Sequence, residues 1–192
     1  MSLLFFAGST REGSFNKKLA LLARHIAEAN GIEAVFVDLK EYPMPLYNGD
    51  LEAAEGPPER ARAFKALLGE YQGVFIASPE YNSSVTPLLK NTLDWVTRVR
   101  AKGETGLEVY RSRVFAISGA SQGYYGAMRS LLNLRQILEV GIGATVIPQQ
   151  LALPRAGDAF DGDGSLKDKT QQEMLKGVVE ALAIAARKFA KP

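Results

Sequence analysis

The stretch LLFFAGSTREGSFNKKLALLARHIAEANG, residues 3–31, decides the fold. It opens on an apolar run, Leu3 to Ala7, with no basic residue ahead of it and far too few residues for a membrane span or the core of a signal peptide. A strand covered on both faces accounts for such a run. Ser14 then stands where a helix N-cap belongs, Leu19, Leu22, Ala23 and Ile26 recur at helical spacing, and Asn30-Gly31 supplies a stop. Strand, polar loop and amphipathic helix in that order form the opening unit of a parallel sheet.

The same alternation runs to the other end of the chain. Short apolar runs at Ala34 to Val37, Val74 to Ala77, Arg113 to Ser118 and Thr145 to Pro148 predict four more strands. Helical patterns span roughly Pro58 to Tyr71, Thr86 to Arg100, Tyr125 to Val140 and Lys167 to Lys188. Strands and helices in strict alternation predict an α/β fold, parallel and doubly wound, with right-handed crossovers. At 192 residues, with no repeat, low-complexity tract or linker, the chain reads as one domain over 1–192. Two connections are long. Glu41 to Pro57 carries three prolines with Tyr42 and Tyr47, and Pro154 to Ser165 is rich in Gly and Asp; both are candidate lids or rims.

Composition narrows the chemistry. With no cysteine and one histidine, the chain cannot build a zinc finger, an iron–sulfur site, a thiol nucleophile or a two-histidine metal centre. Redox chemistry, if the chain performs it, falls to an organic cofactor and not to side chains or a metal. A net charge of +2 gives no electrostatic reason for a nucleic-acid or anionic-membrane partner. The absence of cysteine fits a cytoplasmic protein, as it does any compartment that needs no disulfides.

In an open α/β sheet, ligands bind beyond the carboxyl ends of the strands, which directs attention to the loops after strands one, three and four. The first, GSTREGSFN (Gly8 to Asn16), offers the hydroxyls of Ser9, Thr10 and Ser14, the amide of Asn16, the guanidinium of Arg11 and the positive end of the helix that follows. A phosphate monoester suits that set. A serine-capped helix beside a surface arginine is the plain alternative. Ser14-Phe15 stands where a triphosphate loop needs Lys-Ser/Thr, and Thr10 takes the place of the second glycine of a dinucleotide fingerprint. The second loop, SPEYNSS (Ser78 to Ser84), supplies a flat ring at Tyr81 and polar groups at Asn82, Ser83 and Ser84, ahead of Thr86-Pro87 as helix cap and first-turn proline. The third, SGASQGYYG (Ser118 to Gly126), has glycines at 119, 123 and 126 that allow close backbone approach to a ligand, with Ser118, Ser121 and Gln122 as polar contacts.

These three motifs carry a resemblance. GSTREGSFNKKLA, SPEYNSSVTPLLKNTLDWVTR and SGASQG followed by a leucine-rich helix resemble the NADPH-dependent FMN reductase family, which includes bacterial quinone, chromate and azo-dye reductases; the likeness extends to PRAGDAFDGDGSLKD. The resemblance implies a flavodoxin-like, five-stranded parallel sheet of order 2-1-3-4-5 with helices on both faces, and one FMN per chain. It implies that Ser9, Arg11, Ser14, Phe15 and Asn16 hold the phosphate and ribityl end, that Pro79, Glu80, Tyr81 and Asn82 lie against the isoalloxazine ring, and that Ser118, Gln122 and Gly123 of the third loop close the remaining side. The implied reaction is hydride transfer from NADPH or NADH to the flavin and on to a quinone, azo dye, chromate or free flavin. No side chain is assigned a catalytic role and no metal is expected. Asp161-Gly162-Asp163-Gly164 departs from the family's usual acidic stretch and affects only a rim contact.

Several features read more plainly. His25 lies off the apolar stripe of its helix. Asp161, Asp163 and Ser165 begin a calcium-loop spacing that fails at Leu166 and Gln172. Glu80 is either an acid–base group or a structural or inter-subunit partner. The Thr86 to Arg100 helix carries two apolar stripes, Leu89, Leu93, Val96 and Leu88, Trp95, Val99, which predicts a homodimer or tetramer built on that helix with Trp95 as anchor. A flavodoxin-type single-electron carrier is the rival function; such carriers present an acidic face, and this chain is net positive. A phospho-accepting signalling domain would need an aspartate where Ser78 stands.

Overall fold

The computed structural model describes residues 1–101, 103–104 and 106–189. Five strands form the predicted parallel order. β1 (Ser2–Ala7) lies between β2 (Glu33–Val37) and β3 (Gly73–Ala77), followed by β4 (Val114–Ala120) and β5 (Thr145–Val146). The register pairs Leu3 with Ala34 and Gly73, and Ala77 with both Ala7 and Ser118, so β1 and β3 finish level at one edge of the sheet and β4 continues from there to Ala120.

Covering on both faces explains the unbroken apolar runs. Leu3, Phe5 and Ala7 of β1 face one layer with Leu19, Ala23 and Ile26 of α1 (Phe15–Ala29) and Leu175, Val179 and Leu182 of the C-terminal helix. Leu4 and Phe6 face the other layer with Phe64 and Leu68 of α3 (Glu59–Glu70), Leu89 and Leu93 of α4 (Pro87–Arg98), and Leu131 and Leu134 of α6 (Met128–Arg135). The alternation that marks a half-exposed strand is absent because neither face meets water.

Four features depart from expectation. The segment 39–56 is not an open loop: it holds a 3-10 turn (Leu39–Glu41) and α2 (Gly49–Glu55), capped by the Asn48 side chain. A one-turn helix, α5 (Glu108–Arg111), precedes β4. The helix expected from Tyr125 starts at Met128 and widens into a π-helical stretch, Gln136–Ile142, that stops at Gly143 with φ +78°. The last strand is split, β5 pairing with the start of β4 and β6 (Ala152–Leu153) with its end. Helix α7 (Lys169–Phe189) follows. Among the described residues, no helix is long and apolar enough to cross a membrane.

Within the second stripe of α4, Trp95 and Val99 are covered by the chain's own residues, and Leu88 packs half-buried against the layer that holds Leu89 and Leu93. Trp95 is fully buried; its indole Nε1–H donates to the Pro45 carbonyl at 2.7 Å, and its ring meets Tyr47 edge-on at 5.0 Å. Asn91 donates to the same carbonyl and accepts from the Tyr47 amide at 2.8 Å. Arg98 pairs with Glu52, which also accepts from the Tyr47 hydroxyl. Met44, Leu51 and Ala61 complete the apolar contact with Trp95 and Val99. The homodimer or tetramer expected through the Thr86 to Arg100 helix therefore loses the observation that motivated it.

Candidate active site

A cleft of about 220 Å³ opens where β1, β3 and β4 end, and all three loops contribute to it. Ser9, Arg11, Ser14, Phe15 and Asn16 form its floor and one side; Pro79, Glu80 and Tyr81 form the second; Ala120, Ser121 and Gln122 close the third.

The first loop is built to meet an anion. Ser14 caps α1, its Oγ accepting from the Lys17 amide at 3.4 Å, so the free amides of the first turn point into the cleft. The amides of Thr10, Glu12, Gly13, Phe15 and Asn16 find no acceptor among the described residues. Arg11 reaches no carboxylate among them either and lies over the Phe15 ring, 5.5 Å from its centroid. Converging amides at the positive end of a helix, with a guanidinium beside them, form a donor set suited to a phosphate monoester. That chemistry fits FMN.

Asn16 is different. Its Nδ2 donates to the Ala120 carbonyl at 2.8 Å and its Oδ1 accepts from the Ala120 amide at 2.9 Å, so its side chain ties α1 to the end of β4 and is engaged at both ends.

The second loop is a tight hairpin. Tyr81 and Ser84 exchange backbone hydrogen bonds across Asn82 and Ser83, both left-handed at φ +49° and +66°. A two-residue turn of this hand normally takes Asn-Gly, so Ser83 is strained. Helix α6 holds the turn in place. Ser130 Oγ donates to the Pro79 carbonyl at 2.8 Å, and Asn133 donates to the Ser83 carbonyl at 3.0 Å. Glu80 accepts from the amides of Arg129 and Ser130, capping α6, and pairs with the Arg129 guanidinium, which lies over Tyr125. These contacts fix the carboxylate where it lines the cleft. Tyr81, 58% exposed, is left as a free ring at the cleft wall. Asn82 sits at the exposed tip and does not line the cleft.

In the third loop Ser118 is fully buried, its Oγ accepting from the Leu151 amide, and it lies behind the cleft and not in it. Gln122 lines the cleft while its Oε1 accepts from the Gly157 amide at 3.3 Å. Gly123 is not among the lining residues. Two of the glycines answer to the chain itself: a Cβ on Gly119 would stand 2.6 Å from the Ser78 carbonyl, and one on Gly126 would stand 2.7 Å from the Ala152 backbone. Gly123 differs, since a Cβ there would meet only Ser121 Oγ at 3.6 Å. Ala120 and Ser121 are cleft residues; Ser121 was singled out in the sequence only as a polar contact, and Ala120 carries no signal there.

A hollow of about 520 Å³ at the opposite end of the sheet has cations on its wall, and two of them serve helix ends. Lys65 donates to the Val99 carbonyl after α4, and Arg113 to the Gly69 and Tyr71 carbonyls at the end of α3.

Residues 1–158 match the sequence profile of the family described as NADPH-dependent FMN reductase. The chain belongs to the NADPH-dependent FMN reductase family. It is 30% identical to an NAD(P)H-dependent FMN reductase of Pseudomonas aeruginosa over 192 aligned residues, covering 98% of this chain and 97% of that one. It is 34% identical to an NAD(P)H:quinone oxidoreductase of Solanum tuberosum, covering 95% and 91%. Among solved structures it resembles FerB, a flavoenzyme NAD(P)H:(acceptor) oxidoreductase from Paracoccus denitrificans, with a TM-score of 0.80, 28% identity and 98% of each chain covered. Family membership makes the chain an FMN-dependent oxidoreductase with a nicotinamide donor and sets aside the single-electron carrier. The expected fold and cofactor are borne out together.

Proposed function

We propose that the cleft at the ends of β1, β3 and β4 binds FMN by its phosphate and that the loaded chain reduces a quinone-type acceptor at the expense of NADPH or NADH. The observation that carries this reading is the group of unpartnered amides with Arg11 at the start of α1, facing an exposed aromatic wall. Bound FMN supplies the two-electron chemistry linking the nicotinamide to the acceptor.

The chain's own residues bind and orient. The Gly8–Asn16 loop and Arg11 hold the phosphate, Ser14 fixes the first turn of α1 that carries the amides, and Pro79 with Tyr81 forms the wall for a planar ring. Glu80 moves no proton, because its carboxylate is committed to α6 and Arg129. Asn16 ties α1 to the end of β4, Ser118 ties β4 to Leu151, and Gly119 lets β4 pass close to the Ser78 carbonyl. Three loops wall the cleft at one sheet edge, and donor and acceptor use the side left open in turn.

Steady-state rates with NADPH and a benzoquinone test this sharing. Parallel double-reciprocal lines are expected as the quinone is varied. Lines that intersect would require both substrates on the enzyme at once and would refute a shared face.

A further inference from the structure

Lys17 stands in the first turn of α1, the end of a helix where a cation is least favoured. It is nonetheless buried. Lys17 and Asp38, with side chains 11% and 12% exposed, form an ion pair of 2.6 Å that joins α1 to the end of β2. The ammonium also donates to the Thr10 carbonyl at 3.0 Å. The amide of that same peptide unit, the N–H of Arg11, donates to Ser9 Oγ at 3.3 Å. A peptide unit is planar, so holding its oxygen and its N–H fixes its plane; the next peptide is held as well, the Arg11 carbonyl accepting from the Ser14 amide at 3.2 Å, and the two together set the direction in which the Arg11 side chain leaves the backbone.

We propose that Lys17, anchored by Asp38, is a positioning residue for phosphate recognition: it sets the Thr10–Arg11 peptide and so aims Arg11 at the phosphate of a bound flavin mononucleotide. This rests on the phosphate site proposed above. The lysine is not itself a phosphate ligand, since its ammonium is directed to a carboxylate and a carbonyl. Asp38 extends the unit by accepting from the Lys40 amide at 3.0 Å and starting the 3-10 turn Leu39–Glu41, while the Lys40 ammonium stands 3.8 Å away on the exposed side. In a dinucleotide-binding fold an acid at the end of the second strand contacts a ribose; here that carboxylate is taken by Lys17.

The sign of one substitution separates this arrangement from a direct electrostatic one. FMN and riboflavin are titrated separately into the apoprotein by quenching of flavin fluorescence, for the parent chain and for Lys17→Met, Asp38→Asn, Lys17→Arg and the double variant. Lys17→Met and Asp38→Asn are each expected to raise the Kd for FMN about tenfold, the effect of losing one charge-assisted contact, and to leave the Kd for riboflavin within about twofold. Lys17→Arg, which keeps the pair, recovers most of the loss, and the double variant is no weaker than the worse single one because the two residues act as a unit. Asp38→Asn is nearly isosteric and keeps the test open if Lys17→Met folds poorly. Tighter FMN binding by Asp38→Asn would mean that the freed ammonium acts on the phosphate directly and would overturn the proposal. Unchanged FMN binding, or equal loss of riboflavin binding with a lowered unfolding temperature, would overturn it too. Equal affinity of the parent chain for FMN and riboflavin would instead remove the phosphate site itself.

Discussion

Arg11 and Asn16 stand five positions apart on one loop and do opposite things. Arg11 lies free above Phe15. Arg11→Ala is expected to weaken FMN about tenfold or more, since a charge-assisted contact contributes about 1.5–3 kcal/mol, and to leave riboflavin unaffected in the same titration. Equal losses for both flavins would show that the arginine supports the loop and does not meet a phosphate. Asn16→Ala acts on stability, because it leaves the buried amide and carbonyl of Ala120 without partners. A loss of about 1–3 kcal/mol in urea unfolding is expected; no change would mean that water replaces the amide. Residue type was legible in the sequence, and so was the crowding of hydroxyls and amides into three loops. The direction of each group was not, because it depends on distant partners: Asn16 faces a backbone 104 positions away, and Ser118 one 33 positions away. Glu80 was left open for the same reason, its partners lying on α6.

At the scale of elements, the 44–52 strap and the 81–84 turn show how local patterns mislead. Two apolar stripes on one helix call for two covers, and sequence periodicity does not say that the second is a proline-containing segment of the same chain. Trp95→Ala is expected to destabilise the fold by about 3–5 kcal/mol, as removal of a large buried aromatic does. Sedimentation before and after that change would show an unaltered oligomeric state; a shift toward monomer would return Trp95 to an interface. The strap also carries a pH dependence. The Arg98 guanidinium, with help from the Tyr47 hydroxyl, holds the Glu52 carboxyl below the usual carboxylate range. A lowered value means that the tie is complete above the ordinary glutamate pKa and is lost only as pH falls through the lowered one. Emission from the single tryptophan, Trp95, should therefore hold steady through the ordinary glutamate range and shift red in stronger acid; a shift at near-neutral pH would contradict the tie. In the turn, Ser83→Gly should add up to about 1 kcal/mol by relieving a left-handed serine, while the Ser83 carbonyl that Asn133 holds is retained. A destabilised Ser83→Gly variant would mean that the serine side chain contributes more than its backbone costs.

For the whole molecule, the parallel layering was legible because the central strands β1, β3 and β4 are covered on both faces and every crossover has one favoured hand, whereas the order of the strands came only from the family resemblance. The splitting of the last strand into Thr145–Val146 and Ala152–Leu153, and the π-helical end of α6, were not, since neither follows from apolar spacing. The common edge of β1, β3 and β4 gathers three loops distant in sequence into one cleft, and that convergence makes a phosphate site at the start of α1 also a ring site beside Tyr81. The most direct test is anaerobic addition of NADPH, or NADH, to the purified chain loaded with FMN while the visible spectrum is recorded. The yellow absorption of the oxidised flavin should bleach in one step and return when a benzoquinone is added. A spectrum that neither nicotinamide changes would contradict the assignment of this cleft as a reductase site.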